Sequence, residues 1–214
     1  MIVYPFISAG ISAAIAALLF CRSGKKRSPS TLAWAIGFLS YALSHILEVF
    51  HQLGFLPLSL PWYGPLRGTL VIIMILLVYI GVVRLFTGKQ IIVYGIPLFI
   101  FLYNLFLLSR FALPQYFTLA ITTVTAPASL LVGFLFLMAY LSSKDTGTLL
   151  IAISWLLYFI LLPFFPIVMG TPLIDSWFIA RIATELILLA GFVLVIRRKN
   201  IGKARIGRGK GRRK

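Results

Sequence analysis

The sequence predicts an all-α, polytopic integral membrane protein with seven transmembrane helices. The first observation behind this prediction is composition: 61% of the 214 residues are hydrophobic and 11% are charged, against about 25% charged in a soluble domain. The second is a set of seven apolar stretches, each close to the roughly 20 residues that a helix needs to cross a bilayer. The third is the bias of Lys and Arg to one side of those stretches. The lone cysteine, Cys21, excludes a disulfide scaffold.

Short segments rich in Gly, Pro, Ser or charge separate the predicted helices, which cover residues 2–21, 31–50, 68–86, 91–108, 116–141, 149–169 and 176–196. The first helix ends at the basic segment 22–30. Because that charge follows the apolar run instead of preceding it, a retained helix is predicted and not a signal peptide. The second ends at the apolar, Pro-rich loop 51–67, and the third at a short basic segment. The fourth ends near Arg110, the fifth near Lys144, the sixth at a Gly-Thr-Pro turn and the seventh at Arg197.

The distribution of positive charge predicts the orientation of the chain. Seventeen of the 20 Lys and Arg residues follow helices 1, 3, 5 or 7, and therefore share one side. The opposite side holds Arg67 and Arg110, and Arg181 lies inside the seventh helix. Since cytoplasmic loops carry the excess of Lys and Arg, we expect the N-terminus outside and the C-terminus in the cytoplasm of a multi-pass cell-membrane protein.

Residues 197–214 form a tail with ten cations, four glycines and no acidic residue. Such a composition predicts a disordered polybasic cytoplasmic tail. Basic residues next to a transmembrane helix attract anionic lipid headgroups by about 1 kcal/mol each. The expected headgroup contacts are Arg197, Arg198, Lys199, Lys203 and Arg205. Binding of nucleic acid or an acidic protein by the same charges is the less expected alternative.

Polar side chains inside the predicted helices are the candidate ligand site, because such groups are costly in hydrocarbon and usually face the bundle interior. Ten of them lie on helices 2, 4, 5 and 7: Tyr41, Ser44, His45, Glu48, Asn104, Thr118, Thr122, Thr125, Arg181 and Glu185. Their spacing follows the helical period, and all lie in the outer half or near the middle of their helices. We therefore expect an outward-facing polar pocket. The alternative is a structural network in which Arg181 pairs with Glu185 or Glu48 and the threonines bond to their own helices.

Several kinds of chemistry are not expected. His45, Glu48 and His51 lack the spacing of two histidines four residues apart that zinc proteases use, so we expect no metal ion. No cofactor fingerprint and no catalytic set is apparent. Pro163 and Pro166 in the sixth helix are candidate hinge residues, and fixed kinks that shape the bundle are the alternative.

The basic first loop and the second helix, LAWAIGFLSYALSHILEVF, carry a resemblance to a known family. Over residues 1–90 the chain resembles the seven-helix membrane sensor domains that precede histidine kinases in bacteria and archaea. The resemblance implies an N-out first helix and sensing of a small ligand or of the state of the membrane. Those proteins carry an output domain that this sequence lacks, so signalling would need a separate partner subunit.

Three functions remain open from the sequence. The leading expectation is a non-enzymatic sensor or receptor-like bundle. The second is a small solute or ion transporter or channel component, with a separate transport subunit as a partner. The third is a membrane-embedded lipid-modifying enzyme in which His45 and Glu48 act as acid and base.

Overall fold

The computed structural model describes residues 3–23, 28–56, 63–87, 89–111, 116, 119–168 and 170–210. For residues 23 and 198–210 it describes the backbone alone. Within these ranges the regular structure is helical throughout, with no β-strand. Seven helices are long and apolar enough to cross a membrane, which confirms the predicted all-α class with seven candidate transmembrane helices.

The helices are numbered here in chain order. They are α1 Val3–Ser23, α2 Pro29–Gln52, α3 Tyr63–Val83, α4 Ile96–Arg110, α5 Ala126–Ser143, α6 Thr146–Val168 and α7 Ile174–Lys210. A π-helical turn, Ile91–Gly95, leads directly into α4, and a second, Ala120–Thr125, leads into α5. The third helix begins at Tyr63, well before the predicted start at residue 68.

Proline explains both π-helical turns. Pro97 and Pro127 are each the second residue of the α-helix that follows. A proline ring clashes with the carbonyl group four residues earlier and offers no N–H to it. The wider turn of a π-helix relieves that clash, and Thr125 Oγ1 donates to the carbonyl of Ala120 five residues back at 3.1 Å. By contrast, α6 continues through Pro163 and Pro166.

Neighbouring helices in the sequence are neighbours in space. Helices α1, α2 and α3 pack in succession, as do α5, α6 and α7, while α1–α7 and α3–α5 contacts join the two sets. The main core lies between them and includes Phe38, Val78, Trp155 and Phe192. Helix α4 is peripheral, and large apolar side chains such as Phe99 remain exposed on it. Such an apolar exterior suits a lipid surrounding.

Glycines allow the closest helix contacts. A Cβ atom on Gly147 of α6 would lie 2.7 Å from the carbonyl oxygen of Gly191 on α7. A Cβ atom on Gly81 would lie 2.1 Å from the Trp34 indole nitrogen, which donates to the Val78 carbonyl at 3.0 Å. Small residues at such positions let helix backbones approach closely, and α2–α3 and α6–α7 are packed in this way.

The backbone of α7 is helical through Lys210, and the disorder expected for the tail stays a prediction. Lys and Arg are good helix formers, and extending an existing helix adds one hydrogen bond per residue without a new nucleus. The side chains of residues 198–214 lie outside the described part of the chain.

Candidate ligand site at the N-terminal end of the bundle

The polar side chains meet where α1, α3 and α7 begin and where α2 and α6 end, called here the N-terminal end. Aromatic contacts hold these helix ends together. Tyr4 of α1 stacks on Phe178 of α7 with ring centroids 4.6 Å apart. Trp177 lies 4.8 Å from Phe165 of α6. Five helices therefore contribute to one end of the bundle.

Arg181 of α7 is the centre of the polar contacts. Its Nη2 donates to Tyr41 Oη at 2.6 Å and contacts His45 Nε2 at 2.9 Å. Its Nε lies 3.4 Å from Glu185 Oε1, one helical turn further along. Because arginine is always protonated and can only donate, His45 Nε2 must accept. The imidazole proton is therefore on Nδ1, which lies 3.5 Å from Glu48 Oε2.

Glu185 is the most deeply buried acid of this group, with 1% of its surface exposed. Its Oε1 accepts from Tyr158 Oη of α6 at 3.0 Å and from Tyr41 Oη at 3.3 Å. The Tyr41 hydroxyl thus accepts from Arg181 and donates to Glu185. One buried carboxylate is held by side chains from α2, α6 and α7.

Glu48 anchors the outermost part of the network. Arg67 of α3 pairs with its Oε2, the same oxygen that faces His45. We call the whole set the Arg181 cluster, and it comprises Tyr41, His45, Glu48, Arg67, Tyr158, Arg181 and Glu185. Its two arginines and two glutamates balance, which is the condition for tolerating buried charge.

A narrow crevice leads to the cluster between α1, α2 and α7. His45, Glu48 and Arg181 lie at its floor together with Ser8 of α1. Its walls are apolar and are formed by Tyr4, Pro5, Phe178 and Ile182. The crevice leaves no room for a water molecule in this arrangement, so a ligand would have to move the side chains that line it.

An apolar layer closes the cluster on the side away from the crevice. One turn beyond Tyr41, Tyr158 and Glu185 stand Phe38, Trp155 and Leu188, none more than 2% exposed. Phe38 also packs against Phe192 with centroids 5.5 Å apart. The polar region is therefore a blind end and not part of a path through the bundle.

The chain matches no protein-family model, no curated protein and no solved structure. The chemistry of the site therefore has to be inferred from its own residues. A guanidinium group presents five N–H donors in a planar fork that fits carboxylates and phosphates. Set in a partly buried crevice, Arg181 can bind an acceptor ligand far more strongly than it could in water.

The structure joins the candidate residues of α2 and α7 and places those of helices 4 and 5 elsewhere. Asn104 accepts from Tyr116 Oη at 2.9 Å, fully buried in a second, smaller core. Thr122 is exposed and donates to Leu119, and Thr125 donates within its own π-helical turn. Ser44 donates to the Tyr41 carbonyl. Thr118 lies outside the described residues.

Two members of the cluster were missed by sequence reasoning. Tyr158 is a single hydroxyl in the apolar run WLLYFILLP, and that isolation was the available signal. From the sequence, Arg67 is only one of two cations expected on the outer side of the membrane. Its pairing with Glu48 depends on the early start of α3 at Tyr63, which brings Arg67 into the helix.

Trp177 connects the candidate hinge of α6 with the Arg181 cluster. Trp177 Nε1 donates to the Leu161 carbonyl at 2.8 Å, next to the proline pair Pro163 and Pro166. The same indole lies 5.5 Å from the Arg181 guanidinium carbon. Of the predicted headgroup contacts, Arg197 is exposed, and the side chains of Arg198, Lys199, Lys203 and Arg205 lie outside the described part.

Proposed function

We propose that this protein is a non-enzymatic, multi-pass cell-membrane sensor or receptor that takes a small ligand at the Arg181 cluster. The observation that carries the proposal is the blind-ended crevice, with buried charged groups at its floor and an apolar layer beneath them. A ligand that moves the lining side chains apart would meet these charged groups and bind there. A conducting pore would need polar groups to continue past Phe38 and Trp155.

The proposal includes the orientation expected from the charge bias, with the crevice outside and the C-terminus in the cytoplasm. On the cytoplasmic face, Arg197, Arg198, Lys199, Lys203 and Arg205 would contact anionic lipid headgroups. The resemblance of residues 1–90 to prokaryotic sensor domains supports sensing as the role. Output would then pass to a separate signalling subunit, and nucleic acid is not an expected partner.

A ligand panel on the purified full chain tests the proposal. Some small compound should raise the melting temperature of the wild type, since a ligand that binds the folded state stabilises it. Arg181→Lys should remove that effect, because lysine keeps the charge and loses the planar fork. Arg84→Lys is the matched control, because Arg84 is exposed and lies just after α3, at the opposite end of that helix from Arg67. Absence of stabilisation by any compound would contradict the proposal.

Transport is the second candidate, favoured by the contact of Trp177 with the proline-containing segment of α6. Movement of that segment could open the apolar layer. Uptake of a labelled solute into proteoliposomes, abolished by Glu48→Gln, would establish transport and overturn a purely sensory role.

A further inference from the structure

His45 of α2 has a charged group at each nitrogen of its ring. The residue is 2% exposed. Its Nε2 lies 2.9 Å from Arg181 Nη2, and its Nδ1 lies 3.5 Å from Glu48 Oε2. Since Arg181 can only donate, this arrangement needs a neutral imidazole that accepts at Nε2. Histidine is the side chain that ordinarily changes its charge close to neutral pH, so the contact between His45 and Arg181 depends on a group that acid can alter.

The charges around His45 balance only while its ring is neutral. Titratable and charged side chains from five helices contact His45, contact its partners or line the crevice with it: Tyr4 of α1, Tyr41 and Glu48 of α2, Arg67 of α3, Tyr158 of α6, and Arg181 and Glu185 of α7. The two arginines and two glutamates offset one another, and phenols are uncharged near neutral pH. A proton on His45 Nε2 would add one uncompensated positive charge to a buried site, directly opposite Arg181.

A second arrangement of Arg181 is available within the same cluster. Glu185 lies one turn further along α7, and its Oε2 is buried without a hydrogen-bond donor among the residues that the structure describes. Arg181 Nε lies 3.4 Å from Oε1 of that carboxylate and makes no hydrogen bond to any described residue either. A rotation of the guanidinium group towards Glu185 would pair its planar fork with both carboxylate oxygens. The cluster thus holds an alternative partner for Arg181 that the present arrangement leaves unused.

We propose that His45 is an acid-sensitive switch that decides which partner Arg181 takes. A proton from the solution at the N-terminal end of the bundle binds His45 Nε2, while Nδ1 keeps its own proton and faces Glu48. Arg181 then leaves His45 and Tyr41 and closes a two-bond ion pair with Glu185. Two contacts between α2 and α7 are thereby exchanged for one pair within α7.

A proton suits this crevice because it adds no volume. His45 lines a space that leaves no room for a water molecule, so a molecular ligand has to move side chains before it binds, whereas a proton does not. The inference goes beyond the proposed function, because it holds whether or not the crevice also takes a small ligand.

The test is fluorine NMR of the purified full chain in lipid nanodiscs, labelled with 5-fluorotryptophan and titrated from about pH 7.5 to about pH 5, where histidine changes its charge. Trp177 reports on Arg181, because its ring lies 5.5 Å from the guanidinium carbon. It stands one turn before Arg181, and Glu185 stands one turn after. The Trp177 resonance, assigned with Trp177→Phe, should therefore move in a single protonation step. The resonance of Trp34, near the opposite end of α2, should stay in place.

Three variants identify the groups involved. His45→Gln keeps a neutral acceptor for Arg181 and takes up no proton in this range, so the movement should be lost. His51→Gln is the matched control, because His51 is the other of the two histidines and its Nδ1 contacts the Leu56 carbonyl at 2.6 Å; it should respond like the wild type. Glu185→Asp keeps the charge but draws the carboxylate back, so the midpoint should require about ten-fold more protons, which is one pH unit.

The wild type supplies a measurement that needs no variant to fold. Nitrogen NMR of the chain labelled at its histidines shows directly when the imidazole of His45 takes up its second proton. That step should have the same midpoint as the movement of the Trp177 resonance.

Several outcomes would overturn the inference. A Trp177 resonance that does not move with pH would show that Arg181 keeps its partners, even if His45 becomes charged. Movement that survives in His45→Gln would assign the response to a carboxylate, and movement lost in His51→Gln would assign it to the end of α2.

The proposed function can fail or stand separately. A compound that stabilises the chain at neutral pH, with the effect lost in Arg181→Lys, supports ligand binding even if pH moves nothing. A response to pH that depends on His45, without any stabilising compound, supports the switch alone.

Discussion

The hydroxyl of Tyr158 should contribute measurably to the free energy of unfolding, although no sequence pattern singles it out. Tyr158→Phe removes the 3.0 Å hydrogen bond to Glu185 and leaves the ring, which is 5% exposed, in place. Glu185 then keeps the longer bond from Tyr41 at 3.3 Å and the Arg181 Nε contact at 3.4 Å. A buried carboxylate thereby loses its shorter hydroxyl donor.

The magnitude follows from the charge of the acceptor. Hydrogen bonds between membrane helices average about 0.6 kcal/mol and reach about 1.7, while bonds to charged groups in proteins contribute about 1.5–3 kcal/mol. Because Glu185 is 1% exposed and water cannot replace the lost donor, we expect the free energy of unfolding to fall by about 1.5 kcal/mol. That corresponds to a factor of roughly ten in the unfolding equilibrium.

The assay is reversible unfolding of the full chain in mixed micelles with increasing sodium dodecyl sulfate, followed by circular dichroism. Tyr140→Phe is the matched control, since no side chain or carbonyl in the described ranges bonds to the Tyr140 hydroxyl, and it should change stability by less than about 0.5 kcal/mol. A double-mutant cycle of Tyr158→Phe with Glu185→Gln should give a coupling energy near the single effect. The reasoning is refuted if Tyr158→Phe is as mild as the control or if the cycle shows no coupling.

Three further predictions concern packing, the tail and orientation. Gly147→Ala should lower the free energy of unfolding by about 1–3 kcal/mol through overpacking against Gly191. In the same unfolding assay, Gly10→Ala should leave the free energy of unfolding unchanged, because a Cβ at Gly10 meets nothing within 4 Å. Trypsin should cleave the tail beyond Arg197 more slowly in nanodiscs containing about 30% anionic lipid than in neutral ones, if its cations bind headgroups; equal rates would contradict that contact. A reporter enzyme that works only outside the cytoplasm should stay inactive when fused after Lys214 and become active when inserted within residues 57–62. The reverse pattern would invert the orientation.

The seven helices could be predicted because each is a long apolar stretch, and length and hydropathy can be read directly from the sequence. Five of the seven residues of the Arg181 cluster were also within reach, since Arg181 and Glu185 lie one turn apart and Tyr41, His45 and Glu48 follow one helical face. What the sequence could not supply is the rotation of each helix about its axis. In α6 almost every residue is apolar, so nothing in the pattern directs Tyr158 towards Glu185.

Under the proposed function, the bonds of the cluster would link the crevice to the rest of the bundle. A ligand that takes donors from Arg181 would compete with Tyr41 and His45 for that side chain. Tyr41 joins Arg181 to Glu185, and Glu185 also binds Tyr158 of α6. A shift of the guanidinium group therefore changes the bonding of α6 as well as that of α2. Trp177, which lies beside Arg181, also donates to α6 next to the prolines of that helix. Both sets of contacts therefore join the crevice to α6, and its proline pair favours bending of that helix.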